Sequence, residues 1–165
     1  MEDLTYTSES QRQYDYMAQM KQWVSKQSEK MGRPLTCHIT TFGCQMNAKD
    51  SEKLLGILQQ MGYVETEEET ADFVLFNTCT VRENANLKVY GHLGHLKKIK
   101  QKNPHMLIGL CGCMMQEDLV VQKIKESYKF VDIIFGTHNI FKLAELMKNR
   151  VDSNGMIVDI WKDTD

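Results

Sequence analysis

Three apolar runs in this chain each end at a cysteine and give way at once to a segment with helical spacing. The most complete is Phe73-Val74-Leu75-Phe76-Asn77-Thr78-Cys79-Thr80-Val81-Arg82-Glu83-Asn84. Phe73 to Phe76 is continuously apolar, the pattern of a strand covered on both faces. Thr80 followed by Glu83 has the spacing of a capping box, which marks a helix start. Leu35 to Phe42 leads in the same way to Cys44, and Met106 to Leu110 leads to Cys113. The layout predicts three strands of one parallel sheet. Each delivers a cysteine to the turn between its carboxyl end and the following helix.

The rest of the chain fills in around these units. Residues 1–33 are polar, with Tyr14, Met17, Met20, Trp23 and Val24 at rough helical spacing. They predict a solvent-facing arm with one amphipathic helix, its apolar stripe capping the core or docking on a partner. After Cys44, Leu54, Leu55, Leu58 and Met61 mark one helix face, with Asn47 and Asp50 as a start signal and Gly62 as a stop. Tyr63 to Thr66 is a short edge-strand candidate. The helix after Cys79 reaches Lys102 and turns Ala85, Val89, Leu93, Leu96 and Ile99 inward. Lys97, Lys98, Lys100 and Lys102 crowd its last turns, where cations suit the helix dipole. Asn103-Pro104 breaks it.

Beyond Cys113 a helix is expected with Leu119, Val120 and Ile124 on its buried side. Val131 to Phe135 is the last core strand. Gly136-Thr137 opens a final helix whose apolar positions are Ile140, Phe141, Leu143, Ala144 and Met147. Gly155 to Trp161 reads as a segment leaving the domain rather than a further strand. Strands alternating with helices predict an α/β fold: an open parallel five-stranded sheet, helices on both faces, in the flavodoxin-like or Rossmann-like order 2-1-3-4-5. The expected division is an arm at 1–33, the sheet domain at 34–150 and an exit linker at 151–165. In such sheets ligands bind at the carboxyl ends of strands, where the strand order reverses. Cys44 and Cys79 flank that point, and Cys113 comes from the next strand over.

Composition narrows the chemistry. A formal net charge of −2 argues against a strongly basic nucleic-acid module. No run approaches the eighteen or so apolar residues of a membrane span, and no secretory signal is visible, so no membrane partner is expected. Five cysteines at wide intervals are not a secreted disulfide framework. A reduced, cytoplasmic setting fits them better, as ligands or catalysts.

Thiolates at helix amino ends are stabilised by the dipole and by backbone N–H groups. A soft, anionic sulfur site suits zinc or an iron–sulfur cluster. Structural zinc usually takes four protein ligands, often in Cys-x-x-Cys pairs, and this chain has no such pair. Three ligands to a four-iron cluster leave one iron open, so the cluster is favoured over a zinc-holding or redox-active thiol module. A plain interaction domain with sulfurs as core filler stands as a third alternative. Cys37 and Cys111 lie inside strands and read as packing residues. His38 reads as a packed strand histidine, and His92 and His95 as helix-surface side chains. Gly109 and Gly112 make no dinucleotide-binding fingerprint. No Ser/His/Asp arrangement is present, so no catalytic base or nucleophile is assigned.

Thr41-Phe42-Gly43-Cys44-Gln45-Met46-Asn47, Asp50-Ser51-Glu52, Asn77-Thr78-Cys79, Arg82-Glu83-Asn84-Ala85 and Gly112-Cys113-Met114-Met115-Gln116 resemble the amino-terminal domain of the methylthiotransferases. Within that family, the stretch from Arg82 to Lys97 is similar to the MiaB branch, which acts on tRNA. The resemblance covers roughly residues 35 to 148. It implies radical S-adenosylmethionine enzymes that add a methylthio group to an isopentenylated adenosine beside the anticodon. One [4Fe-4S] cluster, in a central domain, cleaves S-adenosyl-L-methionine. An auxiliary [4Fe-4S] cluster in the amino-terminal domain is the sulfur donor or carrier. The resemblance implies Cys44, Cys79 and Cys113 as its ligands and tRNA as the partner, and it names no sulfur donor. The chain departs from the whole enzyme, because its cysteines cannot form a Cys-x-x-x-Cys-x-x-Cys segment and no RNA-binding barrel follows. The expectation is an amino-terminal piece, inactive alone, that runs from Ile157 to Trp161 into a radical S-adenosylmethionine domain.

Overall fold

Backbone pairing gathers six strands into one parallel sheet in the order β2-β1-β3-β4-β5-β6. The computed structural model describes residues 2–42, 45–79 and 83–160. The chain runs α1 (Glu2–Met31), β1 (Thr36–Thr41), α2 (Gln45–Gln60), β2 (Val64–Glu65), β3 (Phe73–Thr78), α3 (Glu83–Lys102) and β4 (Leu107–Gly112). A 3-10 turn, Cys113–Gln116, leads to α4 (Asp118–Ser127) and β5 (Ile133–Phe135). A second 3-10 turn, Thr137–Lys142, leads to α5 (Leu143–Val151) and β6 (Ile157–Asp159).

Every residue of β3 and β4 is buried. This is what continuous apolar runs become at the centre of a parallel sheet with helices on both faces. On one face, Phe73, Leu75, Cys37 and Cys111 pack with Leu54 and Leu58 of α2, Met20 and Val24 of α1, and Leu143 and Met147 of α5. On the other, Val74, Phe76, Ile108 and Leu110 pack with Val89, Leu93 and Leu96 of α3 and Ile124 of α4. Side chains of this size each contribute about 1.5–3 kcal/mol on full burial.

The expected α/β class and the order of the first five strands hold, but the sheet has a sixth strand. Ile157, Val158 and Asp159 pair in parallel with Ile133, Ile134 and Phe135. The connection from β5 to β6 also departs from the right-handed rule for parallel crossovers. Because α5 lies on the α2 face, this step has the opposite hand to the β1–β2 and β3–β4 connections. Polar ties hold it. Ile157 N–H donates to the Asp132 carbonyl oxygen at 2.9 Å, and Asn139 Nδ2 donates to the Asp159 carbonyl oxygen at 2.9 Å.

Local corrections follow from the two 3-10 turns. Leu119, expected on the buried side of its helix, is 86% exposed, because the buried stripe of α4 runs through Val120, Val121 and Ile124 instead. Phe141 is 48% exposed, since it sits in the 3-10 turn and not in the α-helix proper. Asn47 lies inside α2 and is buried, not at its start. The expected capping pair at Thr80 begins outside the described residues.

The amino-terminal segment is one long helix, and its apolar stripe caps the core. Met20 and Val24 enter the core, while Tyr14 faces out. Arg12 Nη2 and Gln13 Nε2 donate to the two carboxylate oxygens of Glu145 on α5, at 3.1 and 2.9 Å.

Two buried aspartates pin the amino-terminal edge of the sheet. Asp72 accepts from the Thr36 N–H at 2.7 Å and from both Arg33 guanidinium nitrogens, and His105 Nε2 lies 2.6 Å away. Asp132 accepts from the Ile108 N–H at 2.7 Å and is ion-paired with Lys100 and Arg150. Lys100, assigned from sequence to the dipole of its helix, is therefore held by a buried carboxylate. Among the described residues no helix is long and apolar enough to cross a membrane.

Candidate metal centre

The carboxyl ends of β1, β3 and β4 lie side by side. Thr41 is opposite Asn77, Asn77 opposite Cys111, and Thr78 opposite Gly112. Cys79 and Cys113 are the next residues after that last pair, on strands that neighbour each other at about 4.8 Å. Cys79 is buried and Cys113 half-buried. Two of the three expected sulfur ligands thus leave the sheet at one edge. Cys44, the third, lies outside the described residues. It follows Thr41 by three positions, as Cys79 follows Asn77 by two.

The edge is held by a network that the sequence only partly announces. Asn77 Nδ2 donates to the Asn47 carbonyl oxygen at 2.8 Å and to Ser51 Oγ at 3.0 Å. Asn47 Nδ2 donates to the Thr78 carbonyl oxygen at 2.8 Å. Thr78 Oγ1 donates to the Cys111 carbonyl oxygen at 2.6 Å. The Phe42 N–H donates to the Asn77 carbonyl oxygen at 2.8 Å, carrying the β1–β3 pairing one step past Thr41. Asn47, Ser51, Asn77 and Thr78 all lie in motifs quoted from the sequence, but the bonds that join them are not legible there, because nothing in a local window shows that α2 and β4 both reach the end of β3.

Gly112 is the backbone counterpart of this network. Its φ is 101°, in the region that favours glycine, and a Cβ there would stand 2.3 Å from the Thr78 carbonyl oxygen. The strand therefore turns at Gly112 closely against β3, one residue before Cys113.

The other cysteines behave as packing residues, as their strand positions suggested. Cys37 and Cys111 are fully buried in the core cluster. Burial, with Glu65 adding to it, pushes the Cys37 thiol up to about 12. Burial raises the Cys111 thiol further still, with Asp50 adding to it. Both stay protonated thiols. His38 is half-buried, with Nδ1 2.9 Å from the Thr66 carbonyl oxygen. His92 is half-buried, 2.7 Å from Glu69 and against the rings of Phe42 and Phe76, whereas His95 is exposed.

The residues present fit a sulfur-ligated group. Cys79 and Cys113 supply soft donors from adjacent strand ends. Gln116, at the end of the turn opened by Cys113, carries a buried Nε2 with no hydrogen-bond partner among the protein atoms. That nitrogen packs against Gly136 at the end of β5, one strand beyond the cysteine pair. Among the described residues alone, no three His, Cys, Asp or Glu side chains form a metal-holding group.

Comparison with known proteins bears on the same segment. The model of the family described as "Uncharacterized protein family UPF0004" matches residues 36–136, which include all three turns. A tRNA-2-methylthio-N(6)-dimethylallyladenosine synthase of Lachnoclostridium phytofermentans is 65% identical over 90% of this chain and 33% of its own length. Synthases of the same name from Acetivibrio thermocellus and Clostridioides difficile are 49% and 47% identical, over 93% and 92% of this chain. The chain spans about a third of the length of these curated relatives. A match over the whole sheet edge, from β1 to the end of β5, places this chain in the UPF0004 family, with the amino-terminal domain of MiaB-type tRNA methylthiotransferases as its counterpart.

Proposed function

We propose that this chain holds the auxiliary [4Fe-4S] cluster of an enzyme that adds a methylthio group to the isopentenylated adenosine next to the anticodon of tRNA. Cys44, Cys79 and Cys113 would be the ligands. The observation that carries the reading is the register of β3 and β4, which sets Cys79 and Cys113 on adjacent strand ends at one sheet edge. The name shared by the relatives supplies the substrate class.

A bound cluster with three protein ligands supplies sulfur chemistry at an iron that the protein leaves open. The chain's own residues position it. Asn47, Asn77 and Ser51 lock the start of α2, just after Cys44 in sequence, to the end of β3, just before Cys79. Gly112 and Thr78 lock the turn of Cys113 to the same strand. Met114 and Met115, both fully buried, close the underside of that turn to water. The radical chemistry and S-adenosyl-L-methionine binding belong, on this reading, to a second [4Fe-4S] cluster in sequence outside this chain. The whole operates in a reduced cytoplasm, where thiols remain free to ligate.

Anaerobic reconstitution with iron and sulfide tests the proposal. The wild-type chain is expected to take up about four irons and turn brown. Cys79→Ala and Cys113→Ala should each lose most of that iron, while Cys37→Ala keeps it. Full iron content after loss of Cys79, or stoichiometric zinc with no iron uptake, would return the chain to the thiol-module alternative.

A further inference from the structure

The two faces of the sheet carry different charge. Residues 84–130, which include nearly all of α3 and the whole of α4, hold eight lysines against three acidic residues, in a chain whose formal net charge is −2. After Glu83, α3 has no acidic residue at all. Its inward side is Val89, Leu93 and Leu96, all fully buried. Lys100 is turned to Asp132 and the Phe130 carbonyl oxygen. The side facing away from the sheet presents Gly91, Gly94, His95, Lys98 and Lys102, every one exposed. A Cβ on Gly91 or Gly94 would meet nothing within 4 Å. Exposed Lys97 flanks this surface, and Lys123 Nζ lies 4.2 Å from the Tyr90 ring, which stacks on Tyr128.

The surface is open, cationic and free of competing carboxylates along the helix. The helix dipole accounts for Lys102, the last residue of α3, but not for Lys97 and Lys98, which lie more than a turn from the end, while Lys100 is tied to Asp132. A line of point charges with a low helix backbone between them suits regularly spaced phosphates, which lysine meets as a compact cation. The side chains there are mainly lysine and histidine, with Gln101 the one exposed amide among them, so contact with the sugar–phosphate backbone is the main interaction they support.

We infer that the outer face of α3, centred on Lys98 and Lys102, docks the phosphate backbone of the RNA substrate while the opposite sheet edge holds the sulfur site. This rests on the tRNA reading given above, and it adds a surface that the cysteine motifs do not include.

The test is a fluorescence titration of an anticodon stem-loop RNA with the iron-free chain at several salt concentrations, with iron uptake measured separately. Wild type should bind with an affinity that falls linearly in log[salt]. The double change Lys98→Gln and Lys102→Gln should lower that slope by about 2 and weaken binding roughly tenfold in moderate salt. Lys21→Gln with Lys26→Gln, exposed on α1 across the sheet, should leave both unchanged. Absence of RNA binding by wild type, or a slope unaltered by the α3 changes, overturns the inference. So does displacement by polyglutamate as effective as by RNA of equal charge, which would mark a site for an acidic protein surface. Iron uptake without RNA binding sinks this inference and leaves the cluster reading standing; RNA binding without iron uptake does the reverse.

Discussion

Asn47 and Asn77 clasp each other across the end of β3: Asn77 Nδ2 donates to the Asn47 carbonyl oxygen at 2.8 Å, and Asn47 Nδ2 lies 3.4 Å from Asn77 Oδ1. The clasp ties a helix that begins just after Cys44 to a strand that ends just before Cys79. Both amides are buried, so the bonds form where water cannot substitute for them.

Asn77→Ala should therefore affect both stability and cofactor retention. It removes two buried hydrogen bonds, to the Asn47 carbonyl oxygen and to Ser51 Oγ, that join α2 to the end of β3. The expected loss is about 1–3 kcal/mol, a fall in melting temperature of roughly 3–10 °C for a chain of this size. Iron bound after reconstitution should fall with it, although no ligand has been removed. A thermal melt and an iron assay on the same preparation check the two effects. Unchanged iron content alongside the lower melting temperature would mean that the clasp supports the fold but not the ligand loops.

The thiols should separate into two classes. Cys37 and Cys111 are fully buried, and burial raises both thiols. Reactivity follows thiolate fraction and access. Brief iodoacetamide treatment of the native, iron-free chain at neutral pH should leave Cys37 and Cys111 unmodified and label half-buried Cys113. Peptide mass spectrometry reads the sites directly. Labelling of Cys111 at the rate of Cys113 would contradict the packing described for β4.

Much of this arrangement was legible in the sequence because the central strands advertise themselves. Phe73 to Phe76 and Met106 to Leu110 are apolar without interruption, since a parallel strand must be covered on both faces. The cysteine turns at their ends follow from topology. Elements whose role depends on distant partners were harder to read. Ile157–Asp159 is only three residues, half-buried at a sheet edge, and is reached by a connection of uncommon hand. Phe141 fits a helical stripe only if its segment is α-helical. The 3-10 turn advances three residues per revolution and shifts the phase. Asn47 has the residue type of a cap, but its bonds go to β3, thirty positions on.

Asp72 makes stability depend on acid pH. Burial alone would raise its carboxyl group, but hydrogen bonds from Arg33, the Thr36 N–H and His105 outweigh it and hold the group at about 2, below the ordinary aspartate range. A folded-state value below the unfolded one adds stability that is fully present above about pH 4 and lost as pH falls toward 2. The contribution is roughly 1–2 kcal/mol, given that the Arg33 side chain is partly exposed. Asp72→Asn should lower stability at neutral pH and flatten its decline between pH 4 and 2. Urea denaturation at a series of pH values measures both. An unaltered pH dependence would place the acid sensitivity on other carboxylates.

Gly112 and Gly94 should respond oppositely to the same substitution. At Gly112 an added Cβ would stand 2.3 and 2.6 Å from the Thr78 carbonyl oxygen and nitrogen, and the φ of 101° disfavours any other residue. Neither obstacle is a flexible side chain that can move aside. Both are backbone of the central strand, so relief requires β4 to part from β3 just where Cys79 and Cys113 leave the sheet. Gly112→Ala should destabilise by more than about 3 kcal/mol, and any folded fraction should reconstitute poorly with iron. At Gly94 a Cβ meets nothing within 4 Å on a helix interior. Gly94→Ala should stabilise by up to about 1 kcal/mol, because alanine restricts the unfolded chain and suits a helix better. If the outer face of α3 meets RNA phosphates, the same change should weaken binding of the stem-loop despite the gain in stability. Chemical denaturation of both variants separates the two glycines, and a stable, iron-competent Gly112→Ala would show that the turn into Cys113 tolerates a wider gap than its geometry indicates.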